Sequence, residues 1–229
     1  MTRIKLRVIF LPDQDYIKML NSLIGAISLR FEKVLWSIAF SALLLYILKY
    51  MDPEMLPAII LPIAAHEAGH IIALKVFGLK IVGLDLEPRG LCIRYTGLTS
   101  TAGSISAALA GPLSGMIYSI TAAYLNRSMN CQWLKFSSDL SALYSIFNLM
   151  PIEPLDGGLI LLYFCTAFLG PEKGEKLIAS VSIAFSSVLL LIGVIITYEG
   201  KGKALFAAGL WLLISQSENR GIVKRKELL

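Results

Sequence analysis

Charge is scarce in this sequence. Asp, Glu, Lys and Arg make up 16% of its 229 residues, against about 25% in a soluble globular domain. Hydrophobic residues reach 56%, with a mean hydropathy of +0.70. That balance excludes a water-soluble domain and points to an integral membrane protein. Cysteine is rarer still. Cys92, Cys131 and Cys165 show no pairing pattern and no CxxC, which excludes a disulfide framework and a Cys-ligated zinc site. Each reads as a small apolar packing residue. The net charge of +5 does not call for nucleic acid, because the basic residues sit at the ends of apolar segments and form no single patch. A cleaved signal peptide is not expected. Arg3, Lys5, Arg7, Asp13, Asp15, Lys18 and Arg30 interrupt the first 30 residues before any compact apolar core can form. Internal repeats and low-complexity segments are also lacking, and no appended hydrophilic domain is expected.

What remains is a series of apolar stretches. Residues 31–48, 55–77, 103–125, 140–169, 177–197 and 204–215 are candidate spans, judged against the roughly 20 residues a spanning helix needs. The expected fold is an all-α polytopic membrane protein of about six transmembrane helices. Residues 1–30 form an N-terminal interfacial arm, with strand-like alternation over 3–11 and an amphipathic helix over 14–30. Residues 31–216 form the membrane domain, and 217–229 a basic tail. Between the second and third spans, Lys80–Leu86, Pro88-Arg89-Gly90 and Leu91–Tyr95 read as strand, turn and strand. This predicts a short membrane-associated β-hairpin, whose edge could receive an extended peptide.

The protein has only two histidines, and both stand in one motif, His66-Glu67-Ala68-Gly69-His70, inside the second apolar stretch. Four residues apart on a helix, they project from one face and can hold one metal ion. Glu67 is placed to handle a proton of water on that metal. This is the HExxH arrangement of a zinc peptidase in hydrocarbon-like surroundings, where ionisable groups are costly and functional by default. The bland alternative is a pair of packed polar side chains in a helix bundle.

A second constellation interrupts the fourth stretch: Asn148-Leu-Met-Pro151-Ile-Glu153-Pro154-Leu-Asp156-Gly157-Gly158. Two prolines and two glycines cannot continue a regular helix. Freed backbone at membrane depth is tolerated only where protein or a hydrated cavity surrounds it. A broken fourth helix is therefore expected, and a site within it. Asp156 supplies a carboxylate near the expected depth of the histidines, and two His plus one carboxylate is a common catalytic zinc set. Glu153 is the competing third ligand. Asp85 and Glu87 fall in the hairpin loop, and Asp139 reads as a helix N-cap. Asn148 could donate a hydrogen bond to a scissile carbonyl or satisfy broken backbone. Ala64, Ala65, Ala68, Gly69, Gly111, Ser114 and Gly115 are small enough to let helices approach closely.

Taken together, His66-Glu67-Ala-Gly-His70, Ala110-Gly111-Pro112 and Asn148-Leu-x-Pro-x-x-Pro-Leu-Asp156-Gly-Gly resemble the site-2 protease family of intramembrane zinc metalloproteases, peptidase family M50. The likeness covers about residues 25–220 and is greatest to the six-span sporulation branch, the stage IV sporulation protein FB type. The resemblance implies Zn2+ held by His66, His70 and Asp156, Glu67 as general base and acid, and Asn148 in substrate binding. It implies a membrane-associated or membrane-spanning protein substrate, such as a sigma-factor or transcription-factor precursor, cut in regulated intramembrane proteolysis, with inhibitory membrane partners. Two features depart from it. Gly115 stands where many relatives carry asparagine, and the sequence stops at Leu229 before the C-terminal CBS domain common in the sporulation branch.

In a six-span arrangement, Lys49, Arg127, Lys135, Lys201 and Lys203 fall on one side and the rest of the 21 Lys and Arg on the other. The positive-inside rule then puts both termini in the cytoplasm, in a multi-pass protein of a bacterial inner membrane. The metal motifs lie past the midpoints of inward-running spans, so a substrate approached from the cytoplasm is expected. Two other classes use the same residues. One is a catalytically inactive scaffold of the same fold, which has no need of Glu67. The other is a metal transporter, which usually shows paired repeats with matching broken helices.

Overall fold

The computed structural model describes residues 49, 52, 55–87, 90–97, 100–198 and 200–226. The chain divides after Tyr50, and apart from Lys49 every described residue lies in the second unit, Met51–Leu229. The arm expected over 1–30 and the first expected span lie outside the described residues.

Helix α1, Leu56–Val76, carries the histidine motif. Pro57 sits in its first turn, where the missing N–H has no intrahelical partner to lose. Its buried residues Ala58, Pro62, His66 and Gly69 form one stripe, while Ile60, Leu61, Ile63, Ile72 and Val76 are exposed on the other faces. An apolar exterior around a stripe of small and polar residues is the pattern of a helix with lipid outside and protein inside. Gly78, at φ 74°, ends the turn, and Leu79 N–H donates to the Leu74 carbonyl. Leu74, Leu79 and Ala107 then pack together, with Ile93 against them. This contact seats the base of a hairpin of β1, Lys80–Glu87, and β2, Gly90–Thr96. The strands are antiparallel, with Lys80 opposite Thr96 and Leu84 opposite Ile93, and a register shift between Ile81 and Gly83.

Helix α2, Thr101–Met129, starts at Ser100, whose hydroxyl accepts from Gly103 N–H at 3.1 Å. It ends at Asn130 in the left-handed region, φ 44°, and the Asn126 side chain accepts from Cys131 N–H to close the turn. Helix α3, Gln132–Asn148, returns alongside it. The interface is a ladder of serine hydroxyls. Ser119 and Ser138 each donate to the other's carbonyl, at 2.8 and 2.9 Å, and Ser141 donates to Gly115 O at 2.8 Å. Such bonds satisfy hydroxyls where lipid offers no partner.

Sequence hydropathy placed the start of this segment at residue 140. The helix begins eight residues earlier in the chain, at Gln132, because its first turns are polar and stabilised by bonds to α2 rather than by apolar character. Asp139 is consequently an exposed residue within α3 and not an N-cap. The cap position is Cys131, which makes no side-chain cap bond.

The helix then breaks. Leu149–Leu155 form a compact loop held by short backbone bonds, Ile152 N–H to Met150 O at 2.7 Å and Leu155 N–H to Ile152 O at 2.8 Å. Ile152 and Leu155 are buried against Leu212. Helix α4, Asp156–Leu169, follows directly. Helix α5, Pro171–Tyr198, and helix α6, Lys203–Lys226, pair behind the loop. Glu153 N–H donates to Ser182 Oγ at 3.0 Å, and Gln216 Nε2 donates to Ser182 O and to Ser186 Oγ. The loop is thus tied to α5 and packed on α6. Helix α6 extends beyond the expected end at 215, into the segment read as a tail.

Three described helices, α1, α2 and α5, are long and apolar enough to cross a membrane; α4 and Lys203–Gln216 are shorter apolar helices.

Candidate metal centre

The helix period brings His66 and His70 to one face of α1, one turn apart. Their rings meet edge to face, with centroids 4.9 Å apart. Asp156, the first residue of α4, reaches the same point. His66 Nε2 lies 3.0 Å from Asp156 Oδ2 and 3.2 Å from His70 Nε2, and His70 Nε2 lies 3.3 Å from Asp156 Oδ2. Donors held at about 2.0–2.1 Å around a tetrahedral zinc stand about 3.3 Å from one another. The three distances match the edges of such a tetrahedron. Two imidazoles and a carboxylate also match zinc in ligand chemistry.

The surroundings orient these donors. His70 Nδ1–H donates to Ala107 O at 2.8 Å. That bond fixes the tautomer and presents the Nε2 lone pair to the cluster, as a second-shell carbonyl does for a metal-ligating histidine. Gly111 lies directly beneath: a Cβ there would land on His70 Nε2. Only a glycine lets α2 pass that close to the ring. The Ser114 hydroxyl donates to Ala65 O at 2.6 Å and clamps α1 to α2 one turn away. Gly157 does for Asp156 what Gly111 does for His70. Its Cβ would strike the carbonyl oxygens of Leu149 and Met150, so the first turn of α4 tucks under the loop.

Glu67 is half-buried and within electrostatic range of His66, His70 and Asp156. Asn148, at the last turn of α3, is buried, and its Nδ2 donates to Tyr144 O at 3.0 Å. Glu153 does not join the donor cluster, which among the described residues comprises His66, His70 and Asp156. Asp85 and Glu87 lie in β1. One neighbour is not singled out by the motifs. Tyr144 meets the His66 ring edge to face, centroids 4.8 Å apart. Its spacing of four from Asn148 on a helix was the available signal. The backbone partner Ala107 has none, since any residue could supply that carbonyl.

Comparison with known proteins adds likenesses of sequence and fold. The profile of Peptidase family M50 matches residues 97–189, which takes in α2, the broken segment and Asp156 but not the histidine motif. A curated zinc metalloprotease of Methanocaldococcus jannaschii is 28% identical over 138 residues, covering 58% of this chain and 40% of the relative. The chain thus spans less than half the length of that relative. Among solved structures, a site-2 protease from Methanocaldococcus jannaschii superposes with a TM-score of 0.62 at 22% identity, covering 82% of this chain and 87% of the other. The chain has the fold of that site-2 protease, part of it matches the profile of Peptidase family M50, and His66, His70 and Asp156 supply a donor set suited to zinc.

Proposed function

We propose that this protein is an intramembrane zinc metalloprotease of the site-2 type that hydrolyses a peptide bond in a membrane-associated or membrane-spanning protein. The observation that carries the reading is the convergence of His66 Nε2, His70 Nε2 and Asp156 Oδ2 at tetrahedral spacing, with Glu67 beside the first ligand, among apolar helices.

When bound, zinc brings the pKa of a water molecule to about 7 and polarises the scissile carbonyl. The Glu67 carboxylate takes a proton from the attacking water and returns it to the leaving amine nitrogen. Ala107 holds the His70 ring in place through this sequence. Asn148 has two Nδ2 hydrogens. One is fixed on Tyr144 O, and the other is offered to the substrate carbonyl. A helical substrate has no free backbone carbonyls, so it unwinds first, and pairing with the hairpin β1–β2 is a way to hold it extended.

In this reading six spans cross the membrane within residues 31–216, with the arm 1–30 at the interface. Both termini and the hairpin lie in the cytoplasm of a bacterial cell. The substrate is a regulatory precursor released inward, subject to inhibitory membrane partners. The sporulation role is the version of this reading that rests on the motif likeness alone.

The test is co-expression with candidate membrane substrates, comparing wild type with Glu67→Gln. The variant keeps its zinc and loses cleavage, because glutamine cannot carry the proton. Cleavage by the variant at a rate near wild type removes Glu67 from the mechanism. Zinc flux across vesicles without cleavage by either protein points to a transporter.

A further inference from the structure

We infer that the Tyr144 hydroxyl is a further catalytic group, a second hydrogen-bond donor to the substrate carbonyl oxygen as that oxygen becomes an oxyanion. The inference rests on the metalloprotease reading above and adds to its site a residue that neither metal motif contains.

Three observations carry it. The first is position. Tyr144 lies one helical turn before Asn148, and the Nδ2 bond to Tyr144 O locks the two on one face of α3. Its ring meets that of His66 edge to face, 4.8 Å between centroids at an interplanar angle of 62°. The side chain therefore borders a metal-binding imidazole. The second is orientation relative to the lipid. Leu143 and Ile146, on either side, are 65% and 58% exposed, as a lipid-facing surface requires. Tyr144 is turned inward between them. The third is the hydroxyl itself. The phenol is carried on the ring that abuts His66, the ligand next in sequence to the proton carrier Glu67.

The competing explanation is packing, with the ring serving only as a wall against His66. A phenylalanine would do that without bringing an O–H to membrane depth, where an unmatched hydroxyl is costly. The hydroxyl is not spent on the imidazole either, because His66 Nδ1 is buried with no hydrogen-bond partner among the described residues. A donor on the ring that borders His66, on the same face of a rigid helix as Asn148, fits a preorganised oxyanion contact. No proton transfer is involved: the phenol keeps its hydrogen and shares it with the developing charge.

The experiment uses the zinc-loaded full chain in detergent and two probes, a peptidyl phosphonamidate and a peptidyl hydroxamate, with binding followed by calorimetry. The phosphonamidate carries a tetrahedral anionic oxygen where the oxyanion would be; the hydroxamate chelates the metal without one. Tyr144→Phe, which keeps the ring, is expected to weaken the phosphonamidate by roughly tenfold or more. It leaves zinc content unchanged and hydroxamate binding within about threefold, while kcat on a cleaved substrate falls about 100-fold with little change in KM. Wild-type binding of both probes by Tyr144→Phe overturns the inference. So does an equal loss of both probes accompanied by zinc loss, which would make Tyr144 a structural prop. Failure of wild type itself to bind either probe overturns the metalloprotease reading and this inference with it; the two preceding outcomes overturn the inference alone.

Discussion

Replacing Gly111 with alanine should damage the metal site without changing any ligand. The added Cβ would occupy the position of His70 Nε2. Two remedies are open to the folded chain. Helix α2 can move away from α1, but the Ser114–Ala65 bond resists that one turn on. Alternatively, the His70 ring can swing aside, which breaks its 2.8 Å bond to Ala107. Overpacking of this kind costs about 1–3 kcal/mol, and a lost hydrogen bond about 1 kcal/mol. Without metal the ring is free to leave, so the strain is relieved; with metal it must stay. The difference falls on affinity, and about 2 kcal/mol of it corresponds to zinc held roughly 30-fold more weakly. The measurement is competition for zinc against chelators of graded strength, on purified protein in detergent. Gly115→Ala is the control. Its Cβ would meet the Ser145 hydroxyl on the neighbouring helix, not a ligand. It should perturb packing and leave zinc affinity near wild type. Unchanged zinc affinity in Gly111→Ala, or an equal loss in both variants, refutes the argument that Gly111 exists to admit the imidazole.

Two further outcomes separate alternatives. Asp156→Ala should lower zinc content, whereas Glu153→Ala should leave it largely intact; the opposite pattern in metal analysis transfers the third-ligand role to Glu153. For topology, reporter fusions after Leu229 and within 80–95 should report cytoplasm, and fusions near Asp52 and Asn130 the opposite side. An outside signal at Leu229 means that a span has been miscounted.

The histidine pair and the Pro/Gly-rich break were legible because their chemistry is written in residue type and spacing. Two imidazoles four apart can share a metal only on a helix, and no helix runs through Pro151 and Pro154 unbroken. Apolar character located α1, α2 and α5 to within a few residues at most ends. It failed at α3, where Ser137, Ser138, Ser141 and Ser145 are buried. The hydroxyls of Ser137, Ser138 and Ser141 are satisfied by α2, a partner that a hydropathy window cannot see. The misreading of Asp139 as a cap followed from the same error. Gly111 and Gly157 were visible as glycines, but what each makes room for is a property of the packed helices. The Ala107 carbonyl is invisible in principle, since it belongs to the backbone.

The two halves of the donor set stand 90 positions apart from His66 to Asp156, with the hairpin and both intervening helices between them. Viewed as polymer topology, an ion bound there is a reversible crosslink that ties off a loop containing much of the described chain. A covalent link closing a loop of that size restricts the open chain by roughly 4–5 kcal/mol in the chain-entropy model, and helices already threaded through a bilayer lower the figure. A metal held there would serve as a clasp as well as a reagent. Removing it would release that crosslink while the packing of α4 on α2 and α5 remains, so stability of the bundle and occupancy of the site are linked.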